Sequence, residues 1–169
     1  MHKYRNKAAF LDRDGTINKN YGYVIDIKKF KFLKNVIPAI RFLKKRGFLV
    51  IVISNQSGIA RGYFTNNDLN NLNKSVLKIL KKKRTKIDFF YHSPYHPKFS
   101  KFSKEENFMR KPNPGMIIKA IKKHNIDIQK SFMIGDSLED KIAANRAGIK
   151  FFPKKENLLY IVKKAVNSF

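Results

Sequence analysis

The chain has 169 residues, of which 43% are hydrophobic, and 37 lysines and arginines against 12 acids give it a net charge of +25. This length suffices for one compact domain with an apolar core. The chain has no cysteine, which excludes disulfides and thiolate metal sites, and its longest apolar run, 48–53, is too short to span a membrane. The basic N-terminus runs directly into an acidic motif and does not resemble a signal peptide, so we expect a cytoplasmic protein.

Short apolar runs alternate with helical patterns along the chain. The predicted strands cover residues 8–11, 48–53, 87–91, 132–134 and 150–152. The predicted helices cover residues 37–45, 67–82, a segment from Pro114 to about Asn125, 138–147 and the tail after Pro153. This alternation is typical of a three-layer, Rossmann-like α/β fold with a doubly wound parallel sheet. No repeat or shift of composition indicates a second domain, so we expect one domain over 1–169.

Ligands bind beyond the carboxyl ends of the strands in a doubly wound sheet, so the residues that follow each strand are candidates for function. These residues, with two cations that precede the third helix, are Asp12 and Asp14, Ser54, Asn55, Gln56 and Ser57, Asp136 and Asp140, and Arg110 and Lys111. Carboxylates that gather with a hydroxyl and two cations suit a Mg²⁺ ion and a phosphoryl group. The ion would offset the repulsion between Asp12 and Asp136.

Four motifs carry a resemblance to a known superfamily. FLDRDGT (10–16), ISNQSG (53–58), RKP (110–112) and GDSLED (135–140) resemble the motifs of the haloacid dehalogenase (HAD) phosphatases. Together with NYGYV (20–24), GIARGYFT (58–65) and KIAANRAG (141–148), they look like the D-glycero-D-manno-heptose 1,7-bisphosphate 7-phosphatases. The histidinol-phosphate phosphatases are close relatives of that family. The resemblance implies a Mg²⁺-dependent phosphatase that hydrolyses a sugar phosphate in the synthesis of lipopolysaccharide or capsule precursors.

The resemblance also implies a role for each catalytic residue. Asp12 would attack phosphorus and become an aspartyl phosphate. Asp14 would protonate the departing sugar oxygen and then deprotonate the water that hydrolyses the intermediate. Ser54 and Lys111 would bind the oxygens of the transferring phosphoryl group, where they stabilise the developing charge.

The implied metal and substrate ligands come from the same motifs. Mg²⁺ would be held by Asp12, the backbone carbonyl of Asp14, and Asp136, while Asp140 would orient these ligands. Arg110 would contact the sugar or its second phosphate. The full set of implied substrate-binding residues is Asn20, Tyr21, Gly22, Tyr23, Asn55, Gln56, Ser57 and Arg110.

The chain departs from the family pattern in two places. Many relatives carry a zinc loop before the Arg-Lys pair, but Ser93, Tyr95, Asn107 and Met109 occupy its four ligand positions here. We therefore expect no structural zinc, and we expect aromatic residues and prolines to hold the loop 92–109 instead. Ser137 stands where some relatives carry lysine. The segments between the motifs are too short for a cap domain, so loops should cover the site.

Several alternatives stay open at this point. Histidinol-phosphate hydrolysis uses the same chemistry, and nucleic-acid 3′-phosphatases share the style of the second motif. A basic binding protein without catalysis is a third alternative, although the catalytic candidates are all present. The charge fits compositional drift, because Lys, Asn, Ile and Phe are plentiful throughout, but a polyanionic partner and the steering of an anionic substrate also stay open. We expect a monomer that acts on a small anionic sugar phosphate and has neither a membrane nor a nucleic acid as partner.

Overall fold

The computed structural model describes residues 6–101 and 103–169. Its five strands are β1 (Lys7–Leu11), β2 (Phe48–Asn55), β3 (Phe89–Ser93), β4 (Phe132–Gly135) and β5 (Lys150–Pro153). All neighbouring strands pair in parallel, and their order in the sheet is β3-β2-β1-β4-β5. The strand order reverses at β1, as it does in a doubly wound sheet, which confirms the predicted fold class.

Helices cover both faces of this sheet. They are α1 (Val36–Lys45), α2 (Asn66–Lys82), α3 (Lys104–Phe108), α4 (Gly115–His124), α5 (Leu138–Arg146) and α6 (Leu158–Val166). Ala9 and Leu11 of β1 pack in the core that contains α1, α2 and α6, whereas Ala8 and Phe10 pack with α4 and α5. All four side chains are fully buried, which explains why β1 shows no polar alternation in the sequence.

Two predictions of secondary structure were wrong for identifiable reasons: one strand boundary and one short helix. The third strand begins at Phe89, two residues later than predicted, because Ile87 is buried in the core without joining the ladder. α3 was predicted as loop, but the side chain of Ser103 accepts from the N–H of Glu106, and Glu106 accepts from the N–H of Ser103. This reciprocal cap satisfies N–H groups that would otherwise have no partner and so starts a short helix.

The segments 12–35 and 56–65 connect β1 to α1 and β2 to α2. Within these described segments the chain forms turns and isolated bridges, such as the one between Asn18 and Phe32, but no helix or strand. They therefore supply loops and not a cap domain above the sheet. Among the described residues, no helix is both long enough and apolar enough to cross a bilayer.

Candidate active site

The carboxyl ends of the three central strands bring the predicted metal ligands together. Asp12 follows β1, which lies between β2 and β4, and Asp136 follows β4. Carboxylate oxygens of Asp12, Asp136 and Asp140 lie within 4.8 Å of one another. This spacing allows Asp12 and Asp136 to bind the same ion, and oxygen ligands of this kind suit Mg²⁺.

Lys111 places a positive charge among these acids. Its Nζ donates to Oδ1 of Asp12 at 2.6 Å, to Oδ1 of Asp140 at 2.5 Å and to the carbonyl oxygen of Ile53 at 3.1 Å. The Lys111 side chain is 4% exposed and the Asp140 side chain is fully buried. Burial opposes the charge of Lys111, but the two carboxylates outweigh it and raise the pKa of the ammonium group. Lys111 is therefore a cation at neutral pH.

The site strongly favours a second cation. Burial raises the pKa of Asp12 to about 7, an effect that Lys111 only partly offsets and that the charge of Asp140 reinforces. Burial and then Asp140 also raise the pKa of Asp136. A divalent cation between the two carboxylates would stabilise their ionised forms, so the residues present fit the implied metal.

Asp14 occupies a different environment from Asp12. Oδ2 of Asp14 accepts from Nε of Arg13 and from Nε2 of Gln56, both at 3.0 Å, and Oδ1 accepts from Nδ2 of Asn18 at 2.9 Å. Asp14 also lines a cavity of about 220 Å³ with Asn20, Gly22, Tyr23, Asn55 and Gln56. The two acids of the first motif thus have different surroundings. Asp12 contacts Lys111, whereas Asp14 faces a polar cavity.

Gln56 connects the second motif to Asp14. Its Nε2 donates to Oγ of Ser54 at 2.6 Å as well as to Asp14, and its backbone N–H donates to the carbonyl of Ser93 at 2.7 Å. Sequence reasoning assigned Gln56 to substrate binding alone. Since Gln56 is 4% exposed, it holds Ser54 and Asp14 in a fixed relation to each other.

Most of the predicted substrate-binding residues lie around the cavity, but not all. Its lining does not include Tyr21, Ser57 or Arg110. The side chain of Asn55 exchanges two hydrogen bonds with the backbone of Lys111, at 3.0 and 3.1 Å. Asn55 therefore also joins the end of β2 to the third motif, a positioning role that its place in the sequence did not reveal.

Arg13 and Asn18 are two site residues that sequence reasoning missed. Arg13, with a side chain 4% exposed, pairs with Asp14 at 2.9 Å and donates to the carbonyl of Val24 at 3.1 Å. Asn18 is fully buried and donates to Asp14 and to the carbonyl of Lys19. The position of Arg13 between two acids in FLDRDGTIN could have indicated its ion pair. The contact of Asn18 with Asp14 depends on the path of the loop, for which the sequence holds no signal.

Ser137 caps the amino end of α5 and holds the carboxylate of Asp140 in place. The Ser137 hydroxyl donates to Oδ2 of Asp140 at 2.8 Å, and its backbone N–H donates to the same oxygen at 3.1 Å. The Asp140 N–H donates back to Ser137 Oγ at 3.2 Å, which completes a capping box. With Oδ2 held in this way, Oδ1 of Asp140 is presented to Lys111.

Replacing Gly15 by alanine is expected to weaken Mg²⁺ binding. Gly15 has a φ of 87°, and a Cβ atom there would lie 1.9 Å from Oδ2 of Asp136. Asp136 would have to move, so we expect the Mg²⁺ concentration for half-maximal phosphatase activity to rise by about 10- to 100-fold. The matched control is Gly148→Ala, at a φ of 73° with no atom within 4 Å. An equal Mg²⁺ requirement in the two variants would contradict this role of Gly15.

Known proteins share both the sequence and the fold of this chain. Residues 7–157 match the family described as polynucleotide kinase 3 phosphatase. The D-glycero-beta-D-manno-heptose-1,7-bisphosphate 7-phosphatase of Haemophilus influenzae is 44% identical over 145 residues, which cover 86% of this chain and 79% of that protein. The protein of the same name from Escherichia coli (strain K12) is 44% identical over 147 residues, 84% of this chain and 75% of its own length.

A solved structure supports the same assignment of fold. The D,D-heptose 1,7-bisphosphate phosphatase from B. bronchiseptica, complexed with magnesium and phosphate, has a TM-score of 0.81 and covers 96% of this chain and 99% of its own. Its sequence identity of 24% makes it a comparison of fold alone. The sequence relatives show the family as well as the fold, because they are 44% identical and cover 84–86% of this chain. The chain therefore belongs to the haloacid dehalogenase superfamily and, within it, to the family of the heptose 1,7-bisphosphate 7-phosphatases.

Proposed function

We propose that this chain is a Mg²⁺-dependent phosphatase that removes the 7-phosphate of a heptose 1,7-bisphosphate, in the synthesis of lipopolysaccharide or capsule precursors. The observation that carries the proposal is the buried group of Asp12, Lys111 and Asp140, with Asp136 beside it at the carboxyl end of the central strands. Relatives that are 41–44% identical over most of the chain bear this substrate in their names. Its expected place in the cytoplasm and its expected monomeric state stay predictions.

In the proposed reaction, Asp12 is the nucleophile. Lys111 holds Oδ1 of Asp12, which leaves Oδ2 to bond to phosphorus as the bond from phosphorus to the sugar oxygen breaks. Water then attacks the aspartyl phosphate, which releases inorganic phosphate and restores the Asp12 carboxylate. Asp12, Asp136 and the carbonyl of Asp14 would hold Mg²⁺, which would supply Lewis-acid stabilisation of the phosphoryl charge.

Asp14 is the proposed proton carrier of both steps. It gives a proton to the departing sugar oxygen and later takes one from the attacking water. Its hydrogen bonds with Arg13, Asn18 and Gln56 fix the carboxyl group at the wall of the polar cavity. Because Gln56 also donates to Ser54, it connects the proposed proton carrier, Asp14, to the proposed phosphoryl-binding hydroxyl of Ser54.

The cavity next to Asp14 suits a compact polyol. At about 220 Å³ it is small, and Asn20, Asn55 and Gln56 offer amide groups that can pair with hydroxyl groups. Tyr23, which is 45% exposed, packs edge to face against Tyr63 at 4.9 Å and presents an aromatic wall. These features support a sugar phosphate as the substrate class.

Hydrolysis of nucleic-acid 3′-phosphates is the second candidate, because the matching family is described by that activity. One basic groove of the protein lies too far from Asp12 to support it. A basic groove of about 660 Å³, lined by Arg41, Lys44, Lys45 and Arg84, lies near the amino ends of β2 and β3. The eight residues of β2 place roughly 25 Å between that end and the active site. The basic residues of that groove therefore cannot contact a terminal phosphate bound at Asp12.

The test is a comparison of initial rates on purified protein. We expect the highest kcat/KM with one anomer of heptose 1,7-bisphosphate, lower values with histidinol phosphate, and little turnover of 3′-phosphorylated single-stranded DNA. EDTA should stop the reaction and Mg²⁺ should restore it. A higher kcat/KM with the DNA substrate, or restoration by Zn²⁺ alone, would overturn the proposal.

A further inference from the structure

The described residues 94–101 and 103–110 follow the carboxyl end of β3 and precede Lys111 at the site. The base of this projecting loop is joined to the turn after β2 by two backbone bonds. The N–H of Gln56 donates to the carbonyl of Ser93 at 2.7 Å, and the N–H of Ala60 donates to the carbonyl of Pro94 at 3.2 Å. The chain has no cysteine, so no thiolate attaches this loop, and its side chains supply the further contacts.

Three side chains supply such an attachment, and we name them the Arg61 clasp: Arg61, His96 and Phe99. The Arg61 guanidinium lies 4.0 Å from the centre of the Phe99 ring. Nη2 of Arg61 is 3.3 Å from Nε2 of His96, and the His96 ring packs on Phe99 at 4.9 Å. Arg61 belongs to the turn after β2, so the clasp connects the residues that follow the second motif to the projecting loop.

The clasp lies next to the residue that holds Arg110. Nη1 of Arg110 donates to the carbonyl of Tyr95 at 2.8 Å, and Tyr95 precedes His96 in the chain. The N–H groups of Phe99 and Ser100 both donate to the carbonyl of His96, which makes residues 96–100 a compact turn. Movement of this turn would displace the Tyr95 carbonyl and with it the guanidinium of Arg110.

Positive charges surround His96 and Arg110. Burial and then the charges of Arg61, Arg110 and Lys98 lower the pKa of His96. Burial lowers the pKa of Arg110 as well; the charge of Glu139 opposes this effect and that of Arg61 adds to it. These positive charges repel one another, and an anionic group of a ligand would relieve the repulsion.

We propose that the Arg61 clasp is a positioning device that fixes Arg110, the residue to which the family resemblance assigns contact with the sugar or its second phosphate. The inference rests on the proposed function, because it concerns selectivity between a bisphosphate and a monophosphate. Phe99 and His96 act through Arg110 and do not take part in phosphoryl transfer. Phe99 is 49% exposed on a loop, so its loss affects the local geometry of the loop more than the stability of the core.

The variant that tests the proposal is Phe99→Leu, which removes the aromatic face and keeps an apolar side chain. We expect its KM for heptose 1,7-bisphosphate to rise by about threefold to tenfold, with kcat unchanged. The KM and kcat for a heptose 7-monophosphate, which lacks the second phosphate, should stay at the wild-type values. Phe99→Trp, which restores a face for Arg61, should return the KM for the bisphosphate to near the wild-type value.

Tyr160→Leu is the matched control, because Tyr160 is an aromatic residue 56% exposed on α6. It should change neither KM. A wild-type enzyme that shows no preference for the bisphosphate over the monophosphate would overturn the proposed function and this inference together. A wild-type preference that Phe99→Leu leaves intact, or a loss of kcat on both substrates that Phe99→Trp does not rescue, would overturn the inference alone.

Discussion

Asp12→Asn is expected to abolish turnover, with a loss in kcat on the order of 10⁴-fold or more. A neutral amide has no negative oxygen to attack phosphorus, and its oxygen binds a divalent cation more weakly than a carboxylate does. The fold should persist, since the amide oxygen can still accept from Lys111 and the repulsion from Asp140 is removed. Initial rates with saturating Mg²⁺, together with thermal unfolding, measure both effects.

Asp26→Asn is the control for the loss of an acid, because Asp26 is exposed and contacts the N–H of Lys28. It should keep full activity. Asp12→Asn protein that folds and turns over substrate at the wild-type rate would refute Asp12 as the nucleophile. The physical reason for the choice of Asp12 is its position, since it stands at the switch point of the sheet and has one oxygen held by a buried ammonium group.

The sequence was sufficient to predict that the motif residues meet. Parallel strands place their carboxyl ends at one edge, so Asp12 and Asp136 had to converge once the strands were recognised. Lys111 precedes α4, and a helix that connects two parallel strands begins at that same edge. The fold class followed from the same pattern of fully apolar strands and intervening helices. The pairing of Lys111 with Asp140 was not predictable, because a long, flexible lysine side chain can reach several acids. The capping box of Ser137 decides which oxygen of Asp140 faces it.

The surroundings of Asp14 and the projecting loop were the least predictable parts. Arg13 and Asn18 reach Asp14 only because residues 13–18 form a tight turn with several backbone bonds, and such loop geometry has no periodic signal. For the loop 92–109, sequence reasoning expected aromatic residues and prolines to replace a metal. Phe99 takes that role with Arg61, a cation that the sequence did not connect to it, while Phe102 lies outside the described residues. The expected absence of zinc stays a prediction.

Lys111→Met is expected to reduce both the stability of the fold and the rate of the reaction. The variant leaves the carboxylates of Asp12 and Asp140 buried without their shared cation, and in EDTA we expect the free energy of unfolding to fall by about 3–5 kcal/mol. The missing ammonium group should also lower kcat by about 10²- to 10³-fold, because it no longer stabilises the phosphoryl charge. Urea unfolding and initial rates measure the two losses separately.

Mg²⁺ distinguishes this explanation from a simple packing defect. An ion that binds Asp12 and Asp136 replaces part of the lost positive charge, so MgCl₂ should recover more stability in Lys111→Met than in the wild type. Lys86→Met is the control, since Lys86 pairs with Asp88 but is 66% exposed, and its loss should cost less than about 1 kcal/mol. Equal stability of Lys111→Met and the wild type in EDTA would mean that the acids do not need the ammonium charge. In that case the assignment of Asp12 as an ionised nucleophile beside a buried cation would be wrong.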